Sequence, residues 1–178
     1  SKGYIPGNVH WVHKDFNLMK MDLSVEDFIH FCTLCVNPVL IENEVVDCCF
    51  HCERRYKLDG RYKRNQGYGC ILGKTWYGIK RDADRRNILF NIGIKDAWNV
   101  FVKQRGLCAI GCLPIAFQKT WDDYRGRTAS LDRIDSKGPY SVDNIQWVHK
   151  TINMMKSNFS QNHFLERCRQ VDCFQQKI

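Results

Sequence analysis

Apolar side chains recur every three to four residues in two central stretches of the chain. From about Lys74 to Arg86, Trp76, Ile79 and Ala83 share one helical face while Lys80, Arg81, Arg85 and Arg86 fall elsewhere, which predicts an amphipathic helix with a basic surface. From about Lys95 to Gln104 the same spacing sends Ala97, Trp98, Phe101 and Val102 inward, and Gly106 supplies a C′ residue to stop that helix. Further on the pattern changes. Thr128 to Asp135 reads as a short strand ending in charged residues, and Ile145 to Val148 as a second strand introduced by Asn144. A loop of about ten residues containing Gly138 and Pro139 joins them, and a helix carrying Asn153 follows. A hairpin leading into a helix, with helices on either side, is an α+β arrangement.

Comparison of the sequence with itself reveals a repeat. Ser1-Lys2-Gly3, Asn8-Val9-His10-Trp11-Val12-His13-Lys14, Asn17, Met19-Lys20, Ser24, Phe28 and Cys32 return as Ser136-Lys137-Gly138, Asn144-Ile145-Gln146-Trp147-Val148-His149-Lys150, Asn153, Met155-Lys156, Ser160, Phe164 and Cys168, with one inserted residue near Pro139. Each copy predicts a loop, a short strand, a helix and a second helix opened by a serine N-cap. Only the second copy is preceded by the strand that ends in Asp132 and Arg133, so the first is half a motif. It lacks any counterpart of Asp132 and is read as structural or DNA-contacting. A tryptophan in mid-strand is ordinarily a core residue, and both Trp11 and Trp147 are expected there.

Charge adds a partner. Twenty-seven Lys and Arg against nineteen Asp and Glu leave a net charge of +8, with the basic residues interleaved among aromatics. A polyanion, and nucleic acid first, is the expected ligand. Lys74, Lys80, Arg81, Arg85, Arg86, Lys150 and Lys156, with the Lys and Arg of 53–64, are the expected contacts, against the plainer reading of a solvated basic surface. At 44% hydrophobic residues the chain has enough apolar material for a core, and disorder is excluded. No run approaches the roughly 18 apolar residues of a membrane span, and no secretory pattern opens the chain. A soluble cytoplasmic protein is expected, with no membrane partner. Because the sequence opens at Ser1 rather than Met, it is read as a piece or processed form of something longer.

Candidate chemistry concentrates in residues 128–156. Asp132 and Asn153 are hard oxygen donors of the kind that hold Mg²⁺ together with waters and a substrate phosphate. His149 and Asn153 stand four residues apart on one helix face. The run Ser130 to Asp135, Ser136 to Gly138, Asn144 to Lys150 and Asn153 to Lys156 resembles the HNH endonucleases of the ββα-metal (His-Me finger) superfamily, and the phage and intron-associated members most closely. The likeness continues upstream through Gly73-Lys74-x-Trp76, Arg85 to Ile88, Trp98-Asn99-x-Phe101 and Lys103-Gln104-x-Gly106-x-Cys108-Ala109, covering about residues 67–170. It implies that Asp132 and Asn153 bind one Mg²⁺ or Mn²⁺, that Asn144 orients the general base, and that double-stranded DNA is the substrate. The metal would polarise the scissile phosphate while an activated water attacks in line.

One departure matters. Where the family usually has His after the metal-binding Asp, this chain has Arg133, which stays protonated and is suited instead to gripping phosphate. His149 is the replacement base by spacing, with Tyr124 and Tyr140 as less well placed candidates. A catalytically degenerate HNH module that binds DNA without cutting it is the alternative.

The ten cysteines include a cluster at Cys32, Cys35, Cys48, Cys49 and Cys52, which favours metal over disulfides in a chain of this size. Cys32-x2-Cys35 and Cys49-x2-Cys52 offer four thiolates to a structural Zn²⁺, like the zinc knuckles beside HNH domains, and Cys48 is a substitute ligand. The rival is that Cys32 is a buried helix residue, as its counterpart Cys168 would be. Cys108-x3-Cys112 has poor metal spacing, and Cys112 stands where the family usually has Gly. Three units are expected: a partial repeat over 1–31, a zinc module and basic linker over 32–66, and the nuclease domain over 67–178. Oligomeric state is left open, a dimer included.

Overall fold

The computed structural model describes residues 11–38, 67–117 and 128–176. Among them six helices surround one two-stranded antiparallel sheet: α1 (Lys14–Lys20), α2 (Val25–Val36), α3 (Gly73–Arg85), α4 (Ile94–Lys103), β1 (Ala129–Arg133), β2 (Ile145–His149), α5 (Lys150–Lys156) and α6 (Gln161–Gln175). The expected α+β class holds, and β1, β2 and α5 form the anticipated hairpin and helix.

Register sets Leu131 opposite Trp147, Asp132 opposite Gln146 and Arg133 opposite Ile145. With a two-residue side-chain period, Trp147 points into the core while its neighbour Gln146 faces the other side with Asp132. The Trp147 ring meets Phe117 edge-on at 4.8 Å and Phe101 at 6.3 Å, and its Nε1 donates to the Ala97 carbonyl at 2.7 Å. Helix α4 therefore packs on β2 because its apolar positions, Ala97 and Phe101, meet the indole. Val102, one residue beyond Phe101, is 51% exposed, contrary to its expected burial: a step of about 100° turns it to solvent. Gly106 has the positive φ (+72°) expected of a helix-ending glycine and donates to the Phe101 carbonyl.

The two repeat copies have the same local build. Ser24 Oγ accepts from Asp27 N–H and Ser160 Oγ from His163 N–H, opening α2 and α6 as their spacing predicts. His13 and His149 each cap the helix that follows, α1 and α5, through Nδ1, accepting from Asp15 N–H and Thr151 N–H. Helices α1 and α5 end in near-identical positive-φ turns at Met21 and Ser157.

These duplicated helix pairs pack on each other, α2 against α6 and α1 against α5. Asp15 receives His163 and Arg167 at 2.9 and 2.8 Å, and Asp172 receives Thr33 and Asn37 at 2.7 and 3.0 Å. The first two contacts hold the Asp15 carboxyl below its ordinary range. What differs is the strand. Residues 11–13 form none, and Trp11 is wholly exposed where Trp147 is 1% exposed, so of this pair Trp147 alone joins the core. The reason is that the described residues hold one such partner strand, β1, and β2 has it. The boundary expected at 31/32 falls inside α2.

Candidate active site

The end of β1 delivers Asp132 and Arg133 to a cavity of about 360 Å³. Ser130 and Leu131 line it from the same strand, Asn153 from α5, and Asp82, Arg85 and Arg86 from the end of α3. Residues 82, 86, 132 and 153 are thus brought together from three elements, as only tertiary packing can do.

Asp132 is 5% exposed and held at both carboxylate oxygens. Gln146 Nε2, its cross-strand partner, donates to Oδ2 at 2.9 Å, and Lys156 Nζ donates to Oδ1 at 3.1 Å. Lys156 has no exposed surface and uses its remaining donors on the Arg133 carbonyl (2.8 Å) and Ser136 Oγ (3.2 Å). It was expected on the DNA-contacting surface. The structure buries it instead, because the last turn of α5 points back at the end of β1 and a buried carboxylate needs a cation.

Asn153 Nδ2 donates to Ser130 Oγ at 2.7 Å, which fixes the amide so that its carbonyl oxygen is free of protein donors among the described residues. A divalent ion fits this donor set in part. An ionised carboxylate offers about four lone-pair positions, of which two are taken, and Asn153 Oδ1 is a neutral hard oxygen beside it.

Arg133 is 8% exposed, donates to the Gly138 carbonyl and lies over the Tyr140 ring, its guanidinium carbon 5.2 Å from the centroid. Arg86 Nη2 donates to the Tyr140 hydroxyl at 3.2 Å. Tyr140 is thus a platform for two guanidinium groups that line both the Asp132 cavity and a neighbouring one bounded by Leu89, Lys137 and Asn158. Arg85 is exposed, at 3.4 Å from Asp82. Lys74, Lys80, Arg81 and Lys150 are exposed as well, the first three on α3.

Asn144 is not among the residues that line the cavity. Its Oδ1 accepts from Asp135 N–H, and its Nδ2 donates to the Asp135 and Pro139 carbonyls, so the side chain clasps the loop between the strands. A Cβ on Gly138 would stand 2.8 Å from Asn144 Nδ2, which explains the glycine.

His149 lies outside the cavity. Its ring stacks on Phe31 of α2 (5.5 Å, 26° between planes) and its Nδ1 is occupied by the α5 cap. Burial, and then the Lys150 charge, push its pKa below the ordinary histidine value. The expected i, i+4 pair on one helix face does not form: His149 ends β2 in extended backbone and caps α5, which begins at Lys150, so its side chain folds over the helix end. Tyr124 lies outside the described residues. Asp82, not foreseen from the sequence, lines the cavity and is the one carboxylate there without a buried cation. Nothing in a basic helix surface marks it in advance.

Cys32 and Cys35 are buried on α2 and face α6, where hydrogen bonding with Cys168 and burial push the Cys32 thiol far up. Burial and the Cys35 thiol likewise outweigh the lowering effect of the Cys32 contact on Cys168. Among the described residues no group of three His, Cys, Asp or Glu side chains could hold a metal ion; Cys48, Cys49 and Cys52 lie outside them, as do 53–64. Cys70 is disulfide-bonded. Cys108 is buried, and its Sγ accepts from the Gly111 and His149 backbone N–H groups. No helix among the described residues is long and apolar enough to cross a membrane.

Compared with known proteins, the chain matches no family model, no curated protein and no solved structure.

Proposed function

We propose that the chain is an HNH-type endonuclease that hydrolyses phosphodiester bonds of double-stranded DNA with one divalent ion, Mg²⁺ or Mn²⁺. The observation that carries this reading is the convergence of Asp132 and Asn153 with Arg85, Arg86 and Arg133 on one cavity. Anionic and neutral oxygen donors beside guanidinium groups suit a phosphodiester and its metal. When bound, the ion supplies Lewis-acid polarisation of the phosphate. Asp132 and Asn153 would hold it. Arg85 and Arg86 grip non-bridging phosphate oxygens from the rim, and Arg133 stabilises charge from the cavity wall. Asp82 receives the proton of the attacking water, since His149 is turned away. Lys74, Lys80, Arg81 and Lys150 add sequence-independent phosphate contacts, so affinity should fall steeply with salt.

The test is nicking of supercoiled plasmid with end mapping. Mg²⁺-dependent cutting lost in Asp132→Ala and Asn153→Ala supports the reading, and a gel shift without cutting refutes it. That second outcome would favour a DNA-binding module that has lost catalysis, for which the Asp132–Lys156 ion pair is the specific observation.

A zinc site at Cys32, Cys35, Cys49 and Cys52 is a separate proposal, supported by the spacing of the two CxxC pairs. The burial of Cys32 and Cys35 between helices favours the rival packing role. Elemental analysis of the pure protein decides between them. Action on DNA in the cytoplasm of a bacterial or phage-infected cell is the setting that fits the nuclease reading.

A further inference from the structure

The nuclease reading leaves Lys156 without a task, and its position is unusual: a fully buried ammonium in direct contact with the carboxylate assigned to the metal. We infer that Lys156 makes divalent-ion binding conditional on a bound phosphate, so that the free protein takes up the ion weakly and nucleic acid and metal bind as a pair. This rests on the metal reading of Asp132 and Asn153 and concerns the order in which that site fills.

The argument is one of charge. Among the described residues Asp132 is the only buried carboxylate in the cavity wall, and Lys156 already neutralises it at 3.1 Å. The ammonium cannot withdraw, because its other donors are committed to the Arg133 carbonyl and to Ser136 Oγ, and Ser136 in turn donates to the Phe159 carbonyl at 3.0 Å. Gln146 holds the second carboxylate oxygen from across the sheet. Among the described residues the other charged side chains lining the cavity are three guanidinium groups, Arg85, Arg86 and Arg133, against one further carboxylate, Asp82.

A divalent ion entering the free protein would therefore meet a neutralised ligand, a neutral amide oxygen and an excess of positive charge. Hard cations need anionic oxygens, and like charges sharing a poorly hydrated carboxylate repel strongly. A phosphodiester reverses the balance. Its negative charge offsets the guanidinium groups, and its non-bridging oxygens complete the coordination that Asp132 and Asn153 begin. Coupling of this kind is reciprocal: the ion must tighten DNA binding by the factor by which DNA tightens the ion.

Mn²⁺ binding to the intact protein, followed by the free-ion EPR signal, tests this alone and with a short duplex carrying phosphorothioate linkages that resist hydrolysis. Asp132→Asn with the same duplex corrects for Mn²⁺ bound by the DNA itself. The expected result is at least tenfold tighter Asp132-dependent binding with duplex than without. Equal or tight binding to the free protein would overturn the inference and leave the metal reading standing. No Asp132-dependent Mn²⁺ in either state would overturn both. In Lys156→Gln, Mn²⁺ affinity of the free protein should rise at least tenfold and the coupling shrink; unchanged affinity in a folded variant would refute the role of Lys156. Should that variant fail to fold, Lys156→Met, which removes the charge and keeps the apolar stem, carries the same test, and the wild-type comparison decides the coupling itself.

Discussion

Gln104 holds both backbone groups of Trp147: its Oε1 accepts the Trp147 N–H at 2.8 Å, and its Nε2 donates to the Trp147 carbonyl at 2.7 Å. One side chain from the end of α4 thus does for β2 what a further strand would do, satisfying at Trp147 the outer edge of a sheet that has two strands among the described residues. Gln104→Leu should cost about 1–3 kcal/mol, chiefly from the stranded N–H, because Ala109 N–H still reaches the Trp147 carbonyl. Urea unfolding should show a lower midpoint with an unchanged m-value.

The two tryptophans should separate by stability. Trp147→Ala removes a ring packed against Phe101 and Phe117 and should cost about 3–5 kcal/mol. Trp11→Ala removes a solvated ring and should stay within about 0.5 kcal/mol of wild type. Similar losses in thermal unfolding would mean that the N-terminal copy is packed in solution as tightly as the C-terminal one.

Stability should fall as acid is added through the histidine range. His149 has a lowered pKa in the folded chain, first from burial and then from Lys150. The unfolded chain then takes up a proton near pH 6.5 that the folded chain refuses. The contribution is complete above that pH and is lost as pH falls through the lower folded value. His149→Asn, which keeps a capping acceptor, should flatten the urea midpoint between pH 7.5 and 5. An unchanged slope would remove His149 as the origin.

Cys112 adopts φ +52°, a left-handed conformation that costs a side-chain-bearing residue about 1 kcal/mol. Cys112→Gly should therefore stabilise the fold by at most about 0.5 kcal/mol once the greater freedom of glycine in the unfolded chain is counted. Calorimetry should find a raised Tm; a lowered one would show that the thiol packs better than its backbone suggests.

On the nuclease reading, Asp82→Asn should slow single-turnover cleavage by about 10² or more and shift its pH profile. His149→Asn should leave the rate near wild type, since that ring stacks on Phe31 outside the cavity. The reverse pattern would return the base to His149.

Much of this architecture is legible in the residues because it is local. Ser24 and Ser160 announce helix starts, Gly106 a helix end, and the spacing of Trp76, Ile79 and Ala83 a helix, each through contacts within a turn or two. Asp132 and Asn153 could be paired as one site because the hairpin between them is short. What stayed hidden depends on distant partners. Lys156 looks like any surface lysine until the end of β1 is laid over it, and Asp82 reaches the cavity only once α3 is docked. A repeat predicts like structure for like sequence, and it did so for the helices and caps; it cannot say which copy obtains the single β1.

Chain topology answers that question through entropy. Val148 pairs with Ser130 across 18 residues, whereas its counterpart Val12 would have to close 118 to reach the same strand. If closure scales as 1.5RT ln n, the longer span costs about 1.7 kcal/mol more before any side chain is compared. Two nearly interchangeable segments therefore have unequal claims on one partner, and the nearer one holds it. A circularly permuted chain that shortened the path from Val12 to Ser130 would shift that competition, with the indole that changes environment as its natural fluorescent reporter.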